Sequence, residues 1–212
     1  MGRGFRLRGL TNIDQRLEQI SYLLSLPELE HFSEIFEKDQ PIYLEVGMGR
    51  GSFLYNNALR HPERNFIGLD QAGILVLKAS ERMEELPNLK LMVGDFEEIQ
   101  EHFPEESLSG IFLNFSDPWP KTRHHKRRLT HRRFLEMYDR LLKPGGEIRF
   151  KTDREDLFDF SVKEFEETGR KIMNVTRDLH HDERYPENIM TEYESKFSQM
   201  GHPIYGLVYR KV

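Results

Sequence analysis

Two hydrophobic periodicities alternate along the chain. Near-continuous apolar runs at Ile42–Val46, Asn65–Leu69, Leu89–Val93, Gly110–Phe115 and Glu147–Thr152 fit strands buried on both faces. Between two of these runs, Ala72, Leu75, Val76, Ala79, Met83 and Leu86 recur at helical spacing and predict a helix over 72–86, stopped by Pro87-Asn88. Phe134, Leu135, Tyr138, Leu141 and Leu142 predict another, ahead of a Pro144-Gly145-Gly146 turn, and a further helix is expected over 154–168. Lys171–Leu179 and Tyr205–Lys211, joined by a polar loop, predict an antiparallel pair at the sheet edge. At the start of the chain, Asn12 as a cap with Gln15 as its partner puts Ile13, Leu17, Ile20 and Leu24 on one face of a helix that Pro27 ends. The class these elements predict is α/β, with a mostly parallel sheet and an antiparallel last strand. Such sheets hold ligands beyond the carboxyl ends of their strands, where the chain order reverses.

At 212 residues the chain suits one compact domain, read as a basic arm and helix over 1–30 followed by the main domain over 31–212. Cysteine is absent, which removes disulfides, thiolate metal sites and thiol nucleophiles. The first ten residues lack the apolar run of a signal peptide, and no segment is long and apolar enough to span a bilayer, so a cytoplasmic protein is expected. The net charge of −5 argues against a uniformly basic nucleic-acid binder, but the charge is unevenly spread. Lys121, Arg123, Lys126, Arg127, Arg128, Arg132 and Arg133 fall in one stretch, with His124, His125 and His131 among them, and Arg3, Arg6 and Arg8 form a second basic group.

The first long strand runs into Glu45-Val46-Gly47-Met48-Gly49-Arg50-Gly51-Ser52, a turn whose glycines let the backbone bend tightly and approach a ligand. The spacing misses the dinucleotide fingerprint, which wants its third glycine where Ser52 stands, and no Gly-Lys-Ser/Thr cradle for phosphate is present. Glu45, Asp70 and Asp95 stand at three successive strand ends, Asp70 placed for ribose hydroxyls and Asp95 for adenine. With no lysine in the loop, this acidic rim suits a cationic sulfonium ligand better than a phosphate. The same glycines also suit an ordinary tight turn, and the same acids helix caps.

After Gly110–Phe115 comes Ser116-Asp117-Pro118-Trp119-Pro120-Lys121. Two prolines stiffen a loop that offers an aromatic face for stacking and a carboxylate for the edge of a planar base. A structural Asp-Pro turn with Trp119 in the core is equally compatible with the residues. The basic stretch that follows immediately is close enough to meet the phosphates flanking a captured base.

Four motifs in order make the chain similar to one known family: Glu45-Val46-Gly47-Met48-Gly49-Arg50-Gly51; Asn114 to Lys121 with Arg123-His124-His125-Lys126-Arg127-Arg128; Phe150-Lys151-Thr152-Asp153; and Thr191-Glu192-Tyr193-Glu194. They resemble the bacterial tRNA (guanine-N7)-methyltransferases, with Ser116 where some relatives carry proline. The resemblance implies a Rossmann-like class I methyltransferase sheet, S-adenosylmethionine as methyl donor, no metal, and tRNA as partner. N7 of the variable-loop guanine would be the acceptor. It puts Glu45, Gly47, Gly49, Gly51, Asp70, Asp95 and Asp117 at the donor site, with Asp117 also catalytic. Lys121, Asp153, Thr191, Glu192, Tyr193 and Glu194 would contact substrate, and Arg123 to Arg128 the RNA. A monomer or homodimer is expected.

Guanine N7 keeps a lone pair in the ring plane, so its methylation needs no strong base. A carboxylate from Asp117, with Asp153 or Glu194, would stabilise the charge that spreads over the purine. Three rival readings remain. An adenine N6-methyltransferase has similar loops, although Asp117-Pro118-Trp119-Pro120 displaces their aromatic residue. A noncatalytic RNA-binding protein would have no use for the glycine turn. A metal hydrolase is suggested only by His180-His181-Asp182-Glu183.

Overall fold

The computed structural model describes residues 11–186 and 188–212. Its strands are β1 (Leu23–Leu24), β2 (Ile42–Val46), β3 (Asn65–Asp70), β4 (Leu89–Val93), β5 (Leu108–Asn114), β6 (Leu142–Thr152), β7 (Ile172–Thr176) and β8 (Tyr205–Arg210). They form one sheet in the order β1-β4-β3-β2-β5-β6-β8-β7, with β8 antiparallel to both of its neighbours. The helices are α1 (Thr11–Leu17), α2 (Leu26–Leu29), α3 (Ser52–Arg60), α4 (Gly73–Ser80), α5 (Phe96–Ile99), α6 (Arg132–Leu141), α7 (Glu155–Glu167) and α8 (Glu192–Gln199). Strand order steps outward from β2 through β3 to β4 on one side and through β5 to β6 on the other. The carboxyl ends of β2 and β5 therefore flank the crevice where such sheets bind ligands. Among the described residues no helix is long and apolar enough to cross a membrane.

Strand side chains alternate between two cores because the pleat has a period of two. On β5, Ile111 and Leu113 join Phe134, Leu135 and Tyr138 of α6 and Leu157, Phe158 and Phe165 of α7. Phe112 faces the other way, with Phe53 and Leu54 of α3 and Val76 and Leu77 of α4. Tyr43 stacks on Phe66 and Phe112 at 5.7 and 5.8 Å between ring centroids, tying β2, β3 and β5 together across that second face.

The five central strands lie where the apolar runs predict, and so does the antiparallel last pair. Other expectations need correction. The first helix stops at Leu17, Asn12 lies inside it, and Leu24 pairs with Met92 in a short parallel edge strand. Pro27 lies in the first turn of α2 rather than ending a helix, at a position where no amide donor is needed, and the Glu28 carboxylate accepts from Ser25 N and Oγ, both at 2.7 Å. Leu17, Tyr22 and Leu24 are buried in the cores that the main domain builds, so residues 11–29 share its sheet and packing. The basic arm with Arg3, Arg6 and Arg8 lies outside the described residues.

Helix α4 ends at Ser80, well short of Leu86. The Ser80 hydroxyl donates to Leu77 O at 2.8 Å and the Tyr22 hydroxyl to Ser80 O at 3.4 Å, so terminal carbonyls find side-chain partners in place of a further helical turn. The Pro144-Gly145-Gly146 turn is absorbed into β6 as an irregularity, between the pairs Leu108 with Leu142 and Gly110 with Glu147. Strand β8 inserts between β6 and β7, leaving β7 at the edge. The loop expected to be merely polar carries α8, begun by a capping box in which Glu194 N donates to Thr191 Oγ1 at 2.9 Å and Thr191 N to Glu194 Oε2 at 3.3 Å.

Candidate active site

The glycine turn closes β2 and opens α3. Gly47, Gly49 and Gly51 all adopt positive φ, at 78°, 57° and 71°, a region that other residues enter only with strain. A Cβ on Gly47 or Gly49 would meet nothing within 4 Å, so backbone angle alone selects glycine there; on Gly51 it would also strike the Met83 methyl at 2.3 Å. The turn hangs from β3: Gly47 N and Met48 N donate to Leu69 O at 2.8 and 3.0 Å, and Gly49 N to Asp70 Oδ2 at 2.9 Å.

Two of the strand-end acids are engaged by backbone amides, and one of them is a helix cap. Asp70 accepts on its other oxygen from Ala72 N at 2.9 Å; burial pushes its carboxyl up, against these two amides, and nearby Asp117 adds to the rise. Asp95, exposed, is the N-cap of α5 and accepts from Glu97 N at 2.9 Å. Glu45 differs. It is 2% exposed, and Asn114 Nδ2 donates to its Oε1 at 2.8 Å, while Oε2 has no partner among the described residues. Burial pushes its carboxyl up to about 8, with the Asn114 hydrogen bond and Lys151 opposing and Asp70 assisting.

Beyond β5 the chain turns through Phe115 and Trp119, both at positive φ (50° and 39°). Such angles cost non-glycine residues of order 1 kcal/mol or more and persist only where the surroundings impose them. Phe115 N donates to Lys151 O at 2.9 Å. Arg128 supplies the rest: its Nε donates to Pro118 O at 2.8 Å, its Nη2 contacts Trp119 O at 3.4 Å, and its guanidinium lies 4.5 Å from the Phe160 ring centroid and 3.7 Å from Asp156. Trp119 does not fill the core. It is half-buried, edge-on to His124 at 5.7 Å, with the Arg127 guanidinium 4.9 Å from its centroid. Asp117 is exposed and makes no side-chain hydrogen bond among the described residues.

The basic stretch divides in two. Arg128 is 3% exposed and committed to the Trp119 loop, so the expectation that it meets RNA is corrected. Arg132 forks onto Glu164 and reaches Glu167, and Arg133 forks onto Glu97. Lys121, Arg123 and Lys126 stay exposed, and with Arg127 they form no ion pair among the described residues. His124 packs on Trp119, and His125 on Phe160.

A third wall comes from the segment that leads into α8. Tyr193 packs its ring 5.1 Å from that of Phe115 and donates its hydroxyl to Asp153 Oδ2 at 3.1 Å. Glu192 meets Arg82 at 3.3 Å and Arg50, from the glycine turn, at 4.0 Å. A cleft of about 500 Å³ results, with Glu45 and the glycine turn on one side, Asn114 and Phe115 at its floor, and Thr191, Glu192, Tyr193 and Lys196 opposite. Asp117 and the glycine turn thus share one rim of the sheet.

Glu194 is fully buried rather than presented to the cleft. Burial raises its carboxyl, but Lys151, His180 and Asn188 outweigh this and hold it below the ordinary range. His180 Nε2 lies 2.8 Å from Glu194 Oε1, whereas His181 turns to Asp178, so the adjacent histidines serve different carboxylates. Sequence reasoning missed Asn114, Lys151, His180 and Asn188 as members of this network. Asn114 and Lys151 stood inside quoted motifs, but nothing in their spacing announced burial beside Glu45 and Glu194.

A family model described as "Putative methyltransferase" matches residues 39–207. A tRNA (guanine-N(7)-)-methyltransferase of Lachnoclostridium phytofermentans is 43% identical over 207 residues, covering 96% of this chain and 97% of the relative. One from Limosilactobacillus reuteri is 49% identical over 177 residues, 82% of each chain. Among solved structures, an antibiotic-related methyltransferase superposes with a TM-score of 0.63 at 18% identity, covering 88% of this chain and 94% of that one, a likeness of fold.

Proposed function

This chain belongs to the bacterial tRNA (guanine-N7)-methyltransferase family, and from that premise we propose that its cleft joins a methyl donor to a guanine of tRNA. The enzyme transfers the methyl group of S-adenosylmethionine to N7 of the variable-loop guanine, acting in the cytoplasm as a monomer or homodimer. The observation that carries this reading is the buried Glu45 Oε2, unpartnered among the described residues, in a cleft lined by the glycine turn and by Phe115, from which the chain runs on into the Asp117–Trp119 loop. A buried carboxylate oxygen without a donor costs of order 1–3 kcal/mol. An ammonium group of the ligand would remove that cost, and no lysine or arginine among the described residues does so.

Bound S-adenosylmethionine supplies an electrophilic methyl on a sulfonium. Glu45 receives the amino group of its amino-acid portion. The glycine turn lets the backbone approach, and Asp70 and Asp95, with lone pairs left over from their backbone amide bonds, would hold its ribose and adenine. Trp119 offers a stacking face to the guanine, and Asp117 accepts from its N1 and N2 hydrogens. N7 would attack the sulfonium methyl with its in-plane lone pair, the N–CH3 bond forming as the S–CH3 bond breaks and a neutral thioether leaves, so no base is needed. Positive charge passes to the purine, and the Asp117 carboxylate stabilises it. Lys121 and Asp153, with Thr191 to Tyr193, bound the substrate side, while Arg123, Lys126 and Arg127 meet phosphates.

The reading is tested with labelled donor and tRNA transcripts that keep or lack the variable-loop guanine. Label must enter only the former, with strand scission at N7-methylguanine; label without scission places the methyl elsewhere and overturns the assignment.

Two further outcomes follow. Replacing Lys121, Arg123 and Lys126 together by alanine should flatten the dependence of log Kd on log salt by about 2, from ~0.7–0.9 per phosphate contact, with no change in donor affinity. An unaltered salt slope in tRNA binding titrations would remove these residues from the RNA track.

The second concerns pH. The Glu45 carboxyl is raised in the folded protein, so the stability it contributes as a neutral group is full at acid pH and is lost as pH rises through about 8. The ionised form is the one that receives a cation, so donor binding releases a proton. Donor affinity should therefore climb between about pH 6 and 8 and level off above. In calorimetry, Glu45→Gln should bind more weakly and lose this slope; an equal slope in the variant rules out Glu45 as its source.

A further inference from the structure

Lys151, near the end of β6, is a buried cation of the interior. Its Nζ donates to Glu194 Oε2 at 2.7 Å, to Asn188 Oδ1 at 3.0 Å and to Ile189 O at 3.0 Å, and it lies 4.9 Å from the Phe53 ring centroid. An ammonium has three donors, and all three are used. Glu194 is equally filled: besides Lys151, it meets His180 Nε2 at 2.8 Å, Asn188 Nδ2 at 2.6 Å and Thr191 N at 3.3 Å. Both side chains are buried, and burial lowers the Lys151 ammonium from its ordinary value while Glu194 opposes the shift.

A buried ion pair is a poor way to gain stability, because apolar residues of similar volume often do as well or better. What the pair does here is geometric. It joins a central strand to the segment 188–194, the cleft wall that stands across from the glycine turn. The other polar contacts of that wall are weaker anchors, and its aromatic contact to the sheet side is the Tyr193 ring against Phe115. Glu192 meets Arg50 and Arg82 in half-exposed pairs of the kind that salt screens, and Tyr193 reaches Asp153 at the surface. Ile189 is buried but precedes the lining residues.

We propose that Lys151 is the positioning residue of the donor site: by holding Glu194 inside the protein it fixes Thr191 and Tyr193 opposite the glycine turn. Lys151 itself touches no reacting atom. The wall is part of the donor cleft, so the inference rests on the proposed function for its kinetic consequence but not for its structural one.

Lys151→Met removes the charge and keeps the length. Glu194 is then left buried without a cation, and the segment that carries it is released toward solvent. A wall in place only a tenth of the time weakens the donor about tenfold. The expected result is a KM for S-adenosylmethionine raised about tenfold, with kcat at saturating donor and tRNA within about threefold of wild type. Lys151→Gln, which keeps a donor to Glu194, should fall between, and it supplies the measurement if the methionine variant does not fold. The double variant Lys151→Met with Glu194→Gln, which removes both charges, should recover much of the donor KM.

Amide hydrogen exchange in the absence of donor reads the same device without any activity. Exchange in 188–199 should rise in the variants while β2, β5 and β6 stay protected. A well-folded variant with unchanged donor KM and unchanged exchange in 188–199 overturns the proposal. Wild-type protein that fails to bind the donor would instead overturn the proposed function, with the exchange result still deciding the role of Lys151.

Discussion

Asp117→Ala should lower kcat for tRNA methylation about 10²- to 10³-fold, the range found when a preorganised group that stabilises transition-state charge is removed. The fold should hardly notice. Asp117 is exposed and makes no side-chain hydrogen bond among the described residues, so stability should change by no more than about 0.5 kcal/mol. The contrast between a large kinetic loss and an unchanged Tm separates a group that acts on substrate from one that props up the loop. Asp117→Asn keeps an acceptor oxygen but not the charge, and its loss should be smaller, about tenfold to a hundredfold. Single-turnover rates at saturating tRNA and donor measure the step directly; near wild-type rates for the alanine variant would eliminate Asp117 from the chemistry.

The second large effect is expected at Arg128, for a different reason. Its guanidinium holds Pro118 O and Trp119 O and packs on Phe160, in a loop that bends through positive φ at Phe115 and Trp119. Arg128→Met strands the Pro118 and Trp119 carbonyls and deletes a charge-assisted fork. The expected cost is about 3 kcal/mol, which for a chain of this size lowers Tm by roughly 6–12 °C. Turnover should also drop at least about tenfold, because the loop that presents Asp117 and Trp119 loses its clamp. Arg128→Lys should rescue little, since a single ammonium cannot reproduce the fork. A phosphate contact would behave otherwise: the salt slope of tRNA binding would fall by about one and Tm would stay put. Thermal melts and binding titrations on the same variant distinguish the two.

The fate of the basic stretch shows why composition misleads at single residues. Arg123, Lys126, Arg127, Arg128, Arg132 and Arg133 read alike in the sequence, as a cationic run. In the folded protein, Arg132 and Arg133 answer acids on α7 and α5, and Arg128 answers backbone carbonyls ten residues back along the chain. Acids and carbonyls brought from 36, 32 and 10 positions away have no signature in local spacing. The acids at strand ends teach the same lesson in reverse: Asp70 is held by two backbone amides and Asp95 is a helix cap, and of these three acids Glu45 alone keeps a buried oxygen without a partner among the described residues.

What the sequence determined by itself is whatever depends on local pattern. Apolar runs placed β2 to β6 because a strand buried on both faces must be apolar along its length, and the spacing of Gly47, Gly49 and Gly51 marked a turn that only positive φ allows. The motifs that end β2 and β5 placed the glycine turn and the Asp117–Trp119 loop on one rim, since a parallel sheet puts all its carboxyl ends on the same side. The tertiary structure alone decided where short elements begin and end, as at Leu17, Pro27 and Ser80, because a few residues of weak propensity follow whichever neighbour satisfies their backbone. It alone showed that Thr191 to Glu194 open a helix that walls the cleft, and that Lys151 and Glu194 meet across 43 residues in the interior. Burial of a charge is a property of the surroundings, and those surroundings exist only once distant segments have packed.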